Sequence, residues 1–204
     1  MTCLLLFCAA MDILANCRAM LPAEPVTMKG EIVLRNRKGI PSGEYGYTLR
    51  ADRTVTPAKL DFEFRKHDSD EVIESLEILR PGPVPEGRVL NTDVTWLDLS
   101  LDFLWWPKAE YEAEREGETV HGQKCDVILI SNGDRQVRAW CDRKTGCLMQ
   151  AEELSDGRPR RRLWGTRIKH FDGRWFPNVI EVETIGSGHR TKIIVDSLKV
   201  GGKL

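Results

Sequence analysis

Asp98 and Asp102 stand four residues apart, so a helix holding both would put two carboxylates on one face. That spacing is the chain's best candidate for acid–base chemistry. Paired acids near a helix start are usually solvated, however, with the first favoured by the helix dipole. His67, His121, His170 and His189 are scattered and lack metal-ligand spacing. There is no Gly-rich phosphate loop and no nucleophile elbow. The residues that could do chemistry therefore point away from an enzyme, a cofactor or a metal. The basic run Arg158, Arg160, Arg161 and Arg162 could meet lipid headgroups or an acidic partner, although a solvated strand end explains it more simply. The acidic run Glu110, Glu112, Glu114, Glu116 and Glu118 reads as an exposed linker.

Cysteine usage is equally spare. Cys3, Cys8, Cys17, Cys125, Cys141 and Cys147 contain no C-x-x-C pair, which argues against a zinc or redox motif. Cys141 and Cys147 flank one turn and could bridge in an oxidising compartment; small buried thiols are the other reading.

The 30 basic and 31 acidic residues leave a net charge of -1, so nothing global favours nucleic acid or an acidic membrane surface. With 41% apolar and 30% charged residues, the 204-residue chain reads as a folded protein of single-domain size. Residues 2–10 form an apolar run of signal-peptide length, too short to span a bilayer. Residues 1–10 are expected to be the remainder of an export signal, with the first turns of a buried helix as the alternative. Residues 11–204 are expected to form one domain.

The elements follow from periodicity. Apolar residues at 13, 14, 17, 20 and 21 define one helix face, which Pro22 and Pro25 end. From Val26 the period changes to two. Leu60, Phe62 and Phe64 alternate with Asp61, Glu63 and Arg65, and similar runs predict about ten strands in meander order, apolar on one face. The exception is Thr95 to Pro107. Its Thr95-x-x-Asp98 pattern resembles a capping box and Pro107 ends it, so a helix is expected over 96–106. Lys108 to Glu118 is expected to be a charged connection, with continuation as an exposed helix as the alternative. A sheet of this kind curls to hide its apolar face, with the helices filling the concave side.

Trp96, Leu101, Phe103, Leu104 and Trp105 are the candidates for lining an apolar hollow, and Trp106 for facing a partner or a lid edge. Ordinary packing of helix on sheet is the competing explanation.

Several blocks in one order resemble the outer-membrane lipoprotein-sorting family, the LolA-like carriers. They include Leu21-Pro22-Ala23-Glu24-Pro25, Thr92 to Leu99 running into Phe103-Leu104-Trp105-Trp106-Pro107, Val120 to Cys125, Ala139 to Leu148, Asp172 to Val182, and Ser187 to Thr191. The resemblance implies a mainly β (α+β) fold, in which a strongly bent, unclosed antiparallel sheet forms a half-barrel with helices plugging its concave side. It implies a monomeric periplasmic carrier that holds the acyl chains of a lipoprotein or lipid. Such a carrier would hand its cargo between inner- and outer-membrane transport components, without nucleic acid. Carriers of this kind latch a helical lid with a buried Arg; Arg35, Arg37 and Arg50 lie in the first two strands, and none matches that role by motif. The alternative on the same fold is a non-enzymatic sensor or binding module that reads a protein through the sheet edge or Trp106. A hydrolase using Asp98 and Asp102 is a third, weaker idea.

Overall fold

The computed structural model describes residues 2–201, without the side chains of residues 2–8, 174 and 175. Met1 of the expected export segment lies outside the described residues. Residues 2–10 run without a break into helix α1, Thr2–Ala19. Twelve strands follow: β1 Val26–Arg35, β2 Pro41–Asp52, β3 Ala58–Lys66, β4 Val72–Arg80, β5 Lys108–Tyr111, β6 Thr119–Val120, β7 Gln123–Asn132, β8 Arg135–Asp142, β9 Leu148–Ser155, β10 Arg158–Phe171, β11 Arg174–Thr184 and β12 Arg190–Val200.

They form one antiparallel sheet in the order β4-β3-β2-β1-β12-β11-β10-β9-β8-β7-β5, with β6 also on β7. The sheet is not closed: β4 and β5 are its two ends. The order departs from a plain meander at one place, where the first strand pairs with the last, from Val26 opposite Val200 to Arg35 opposite Arg190. The chain between the two end strands, residues 81–107, carries the only helical segments between β4 and β5 among the described residues: α2, Trp96–Ser100, and a 3-10 helix, Asp102–Trp105.

Three sequence expectations need correction. The helix expected over 96–106 is two pieces, broken at Leu101, whose φ of 53° no α-helix can contain. The acidic connection 108–118 is partly sheet. Lys108–Tyr111 pairs with β7, burying Ala109 and turning Lys108 and Glu110 outward. The Cys141–Cys147 bridge is not formed: Leu148, not Cys147, lies opposite Cys141, and Cys17, Cys125, Cys141 and Cys147 are free. Cys17, Cys125 and Cys141 are the small buried thiols of the other reading.

The chain divides into two compact units, Met1–Leu21 with Leu101–Trp164, and Pro22–Ser100 with Gly165–Leu204. In the first, Leu14 and Cys17 of α1 are buried, and Ile128, Ile130, Val137 and Ala139 give the sheet a dry face. In the second, period-two alternation places Leu60, Phe62 and Phe64 in the core and leaves Asp61, Glu63 and Arg65 on the wetter face. The break at Leu101 is where the chain passes from one unit to the other.

Candidate functional site

In the second unit the site is built on β3. Phe62 lies opposite Leu49 of β2 and Leu76 of β4, and Phe64 lies opposite Tyr47. Residues directly across a ladder point to the same face, so these side chains make one apolar strip. Trp96, 6% exposed, lies on that strip. Its ring meets Phe62 edge-on at 5.7 Å and Phe64 at 5.8 Å, the geometry that the aromatic quadrupole favours.

Trp96 is the first residue of α2, and local hydrogen bonds place it. The Thr95 N–H donates to Asp98 Oδ2 at 2.7 Å and the Thr95 hydroxyl to the same oxygen at 3.0 Å, half of a capping box with Asp in place of Glu. The approach to the helix is pinned by Asp93, which is 2% exposed. Its carboxylate accepts from Thr184 Oγ1 at 2.7 Å and Thr191 Oγ1 at 3.4 Å, and its N–H donates to Thr191 Oγ1 at 3.1 Å. At the far end, Arg80 of β4 donates from its guanidinium to the Ser100 carbonyl oxygen at 3.1 Å. Five residues cannot form a stable isolated helix, so this position depends on these side-chain contacts.

In the first unit the 3-10 helix buries Phe103 and Leu104, and Arg18 Nε of α1 donates to the Leu104 carbonyl oxygen. Trp106 is 4% exposed, so its ring does not present an outward face. Its indole N–H donates to Asp102 at 3.2 Å, and the Arg135 guanidinium lies 5.1 Å from its ring centre. Trp105 is the half-buried member of the pair, and Leu101 is half-buried at the joint. Of the six sequence candidates, Trp96 belongs to one unit and the other five to the other.

The acid pair is likewise divided. Asp98 caps its own helix and Asp102 holds Trp106, with the reversal at Leu101 between them. The arginines that hold helix ends are Arg80 and Arg18. Of the three read from the first two strands, Arg37 lies in the turn between them, and all are engaged elsewhere: Arg35 with the Gly39 carbonyl, Arg37 with the Ser187 carbonyl, and Arg50 with Glu63. Sequence reasoning missed Arg80 and Arg18 because a carbonyl latch leaves no motif; Arg80 is the last residue of β4 and Arg18 the last but one of α1.

The first unit also has a cleft of about 650 Å³. Its floor is two rows across β8, β9 and β10: Arg138 opposite Glu152 opposite Arg162, and Trp140 opposite Gln150 opposite Trp164. Arg138 makes a two-pronged pair with Glu112, and Arg162 donates to Glu152 at 2.8 Å. Trp140 donates its indole N–H to Glu118 at 2.8 Å. Walls of this kind suit a polar guest, not an acyl chain.

Comparison with known proteins bears on this geometry. A DUF1329 family protein from Desulfovibrio piger is similar at 14% identity and a TM-score of 0.77, covering 98% of this chain and 95% of that one. A domain described as an outer membrane lipoprotein-sorting protein from Vibrio parahaemolyticus is similar at 14% identity and a TM-score of 0.76, covering 96% and 94%. A LolA superfamily protein from Nitrosomonas europaea gives 14% identity and a TM-score of 0.67 over 96% and 94%. At such identities the likeness is one of fold. No curated protein matches the chain. A family model whose description reads "uncharacterized protein" matches residues 81–204. With more than half of its length inside that model, the chain belongs to the family it defines, on the fold shared by the LolA-like and lipoprotein-sorting structures.

Proposed function

We propose that the protein is a non-enzymatic carrier of the bacterial periplasm that takes up the acyl chains of a lipoprotein or lipid. It would pass them between membrane-bound transport components on the way to the outer membrane. The apolar strip of β2, β3 and β4 receives the chain when α2 swings aside. The observation that carries this reading is α2 itself: a five-residue helix seated on an apolar sheet face by one aromatic ring, one arginine and its cap.

The magnitudes permit the exchange. Giving up a buried Trp costs about 3–5 kcal/mol and a charged hydrogen bond about 1.5–3 kcal/mol. Burying about a dozen methylenes at ~0.8 kcal/mol each returns on the order of 10 kcal/mol. An acyl chain can therefore replace the helix, whereas a short apolar fragment cannot. Native mass spectrometry after mild extraction tests the proposal. Co-purified lipid, or uptake of a labelled acyl chain, supports it; protein that emerges empty and takes up no chain refutes it.

One observation favours a second reading. β4 ends the sheet, and Val72, Ile73 and Leu79 on it are 50%, 43% and 43% exposed. Such an edge could accept a strand from a protein partner. A module that only binds proteins would capture such a peptide and no lipid.

A further inference from the structure

Tyr47 of β2 is 6% exposed, and its hydroxyl has no hydrogen-bond partner among the described residues. It lies opposite Phe64 on one side and Gly30 on the other. The ring therefore shares the face of the Phe62–Phe64 strip on which Trp96 rests. A buried hydroxyl without a partner is costly, and native structures retain one where something else completes it. Burial, with the charge of Asp196 acting in the same direction, pushes the phenol well above its ordinary range. Tyr47 is thus a neutral O–H donor at any physiological pH.

Such a donor selects a neutral acceptor. A carboxylate would lose its hydration on this face, and an alkane or ether chain offers no carbonyl. The group that an acyl chain brings is the carbonyl oxygen of its ester or amide link. We propose, on the basis of the carrier reading, that the Tyr47 hydroxyl donates a hydrogen bond to the acyl carbonyl of the bound cargo and so fixes where the chain begins on the sheet face. The apolar strip then binds length, and Tyr47 distinguishes acyl from alkyl.

The test compares a diacyl ester glycerolipid with its dialkyl ether analogue of equal chain length, on the wild-type protein and on Tyr47→Phe. The wild type is expected to favour the ester roughly five- to tenfold, the worth of one hydrogen bond, and Tyr47→Phe is expected to bind both equally. The variant without lipid is expected to melt at or above the wild-type temperature, because it loses only an unsatisfied group. An unchanged ester-to-ether ratio overturns the inference and leaves the carrier reading standing. A lower melting temperature also overturns it, since the hydroxyl would then be bonded within the fold. Failure of the wild type to bind either lipid overturns the carrier reading first. The carbonyl stretch of isotope-labelled ester in the wild-type complex needs no variant: a downshifted band supports the bond, and a free-carbonyl band refutes it.

Discussion

The Arg80 guanidinium donates to the carbonyl oxygen of Ser100 at 3.1 Å, joining the last residue of β4 to the last residue of α2. The last carbonyls of a helix have no partner within it, so a cation placed there satisfies one of them and complements the helix dipole. In Arg80→Met the stem can still pack while the bond is lost. Stability is expected to fall by about 1.5–3 kcal/mol. Hydrogen exchange of the amides over 96–100 is expected to accelerate more than exchange in β3, as read by mass spectrometry. Equal acceleration in both would mean that Arg80 supports the whole unit and not the latch.

Trp96→Ala removes the ring that meets both Phe62 and Phe64. Urea unfolding is expected to show a loss of about 3–5 kcal/mol. A loss below about 1 kcal/mol would mean that the strip repacks without the helix.

The Arg138–Glu112 pair is two-pronged, with both side chains 11% exposed. Arg138→Ala strips most of the compensation from a nearly buried carboxylate and is expected to cost about 3–5 kcal/mol. The hydrogen bond to Glu112 raises the guanidinium above its already high value. A raised pKa gives stability that is fully present below the unfolded-state value and lost only as pH climbs through the folded one. Alkaline titration across the range in which the protein stays folded should therefore leave this contribution intact, as followed by thermal melting. A melting temperature that falls in wild type but not in Arg138→Ala between neutral and mildly alkaline pH would contradict it.

Thiol labelling should be ordered. Cys147 is half-exposed, whereas Cys17, Cys125 and Cys141 are buried. The thiol of Cys141 hydrogen-bonds Cys17, which lowers Cys17 and raises Cys141 well above the ordinary thiol range. Among these four, Cys147 is expected to be alkylated first, and Cys17 before Cys141, because their bond favours the Cys17 thiolate. Peptide mapping along a labelling time course checks the order; Cys141 ahead of Cys17 would contradict the assignment of donor and acceptor.

Much of this was legible in the residues. The alternation of Leu60, Phe62 and Phe64 predicts β3 and its apolar face because strand period two is strict. The Thr95–Asp98 pattern predicts a helix start, and the cap is present. The break at Leu101 was not legible. Leucine disfavours positive φ, so nothing in its type announces the reversal. β5 was hidden because its outward Lys108 and Glu110 read as part of a charge run, and four residues give a weak period. Arg80 and Arg18 were hidden because their acceptor is backbone, which every residue has.

Cargo is expected to lie where Trp96 now rests. A photoreactive group on the acyl chain, activated in the complex and mapped by peptide mass spectrometry, tests it most directly. Adducts are expected in β3, residues 58–66, and in α2, residues 96–100. Adducts confined to the polar cleft around Trp164, or none above an unlipidated control, would contradict it.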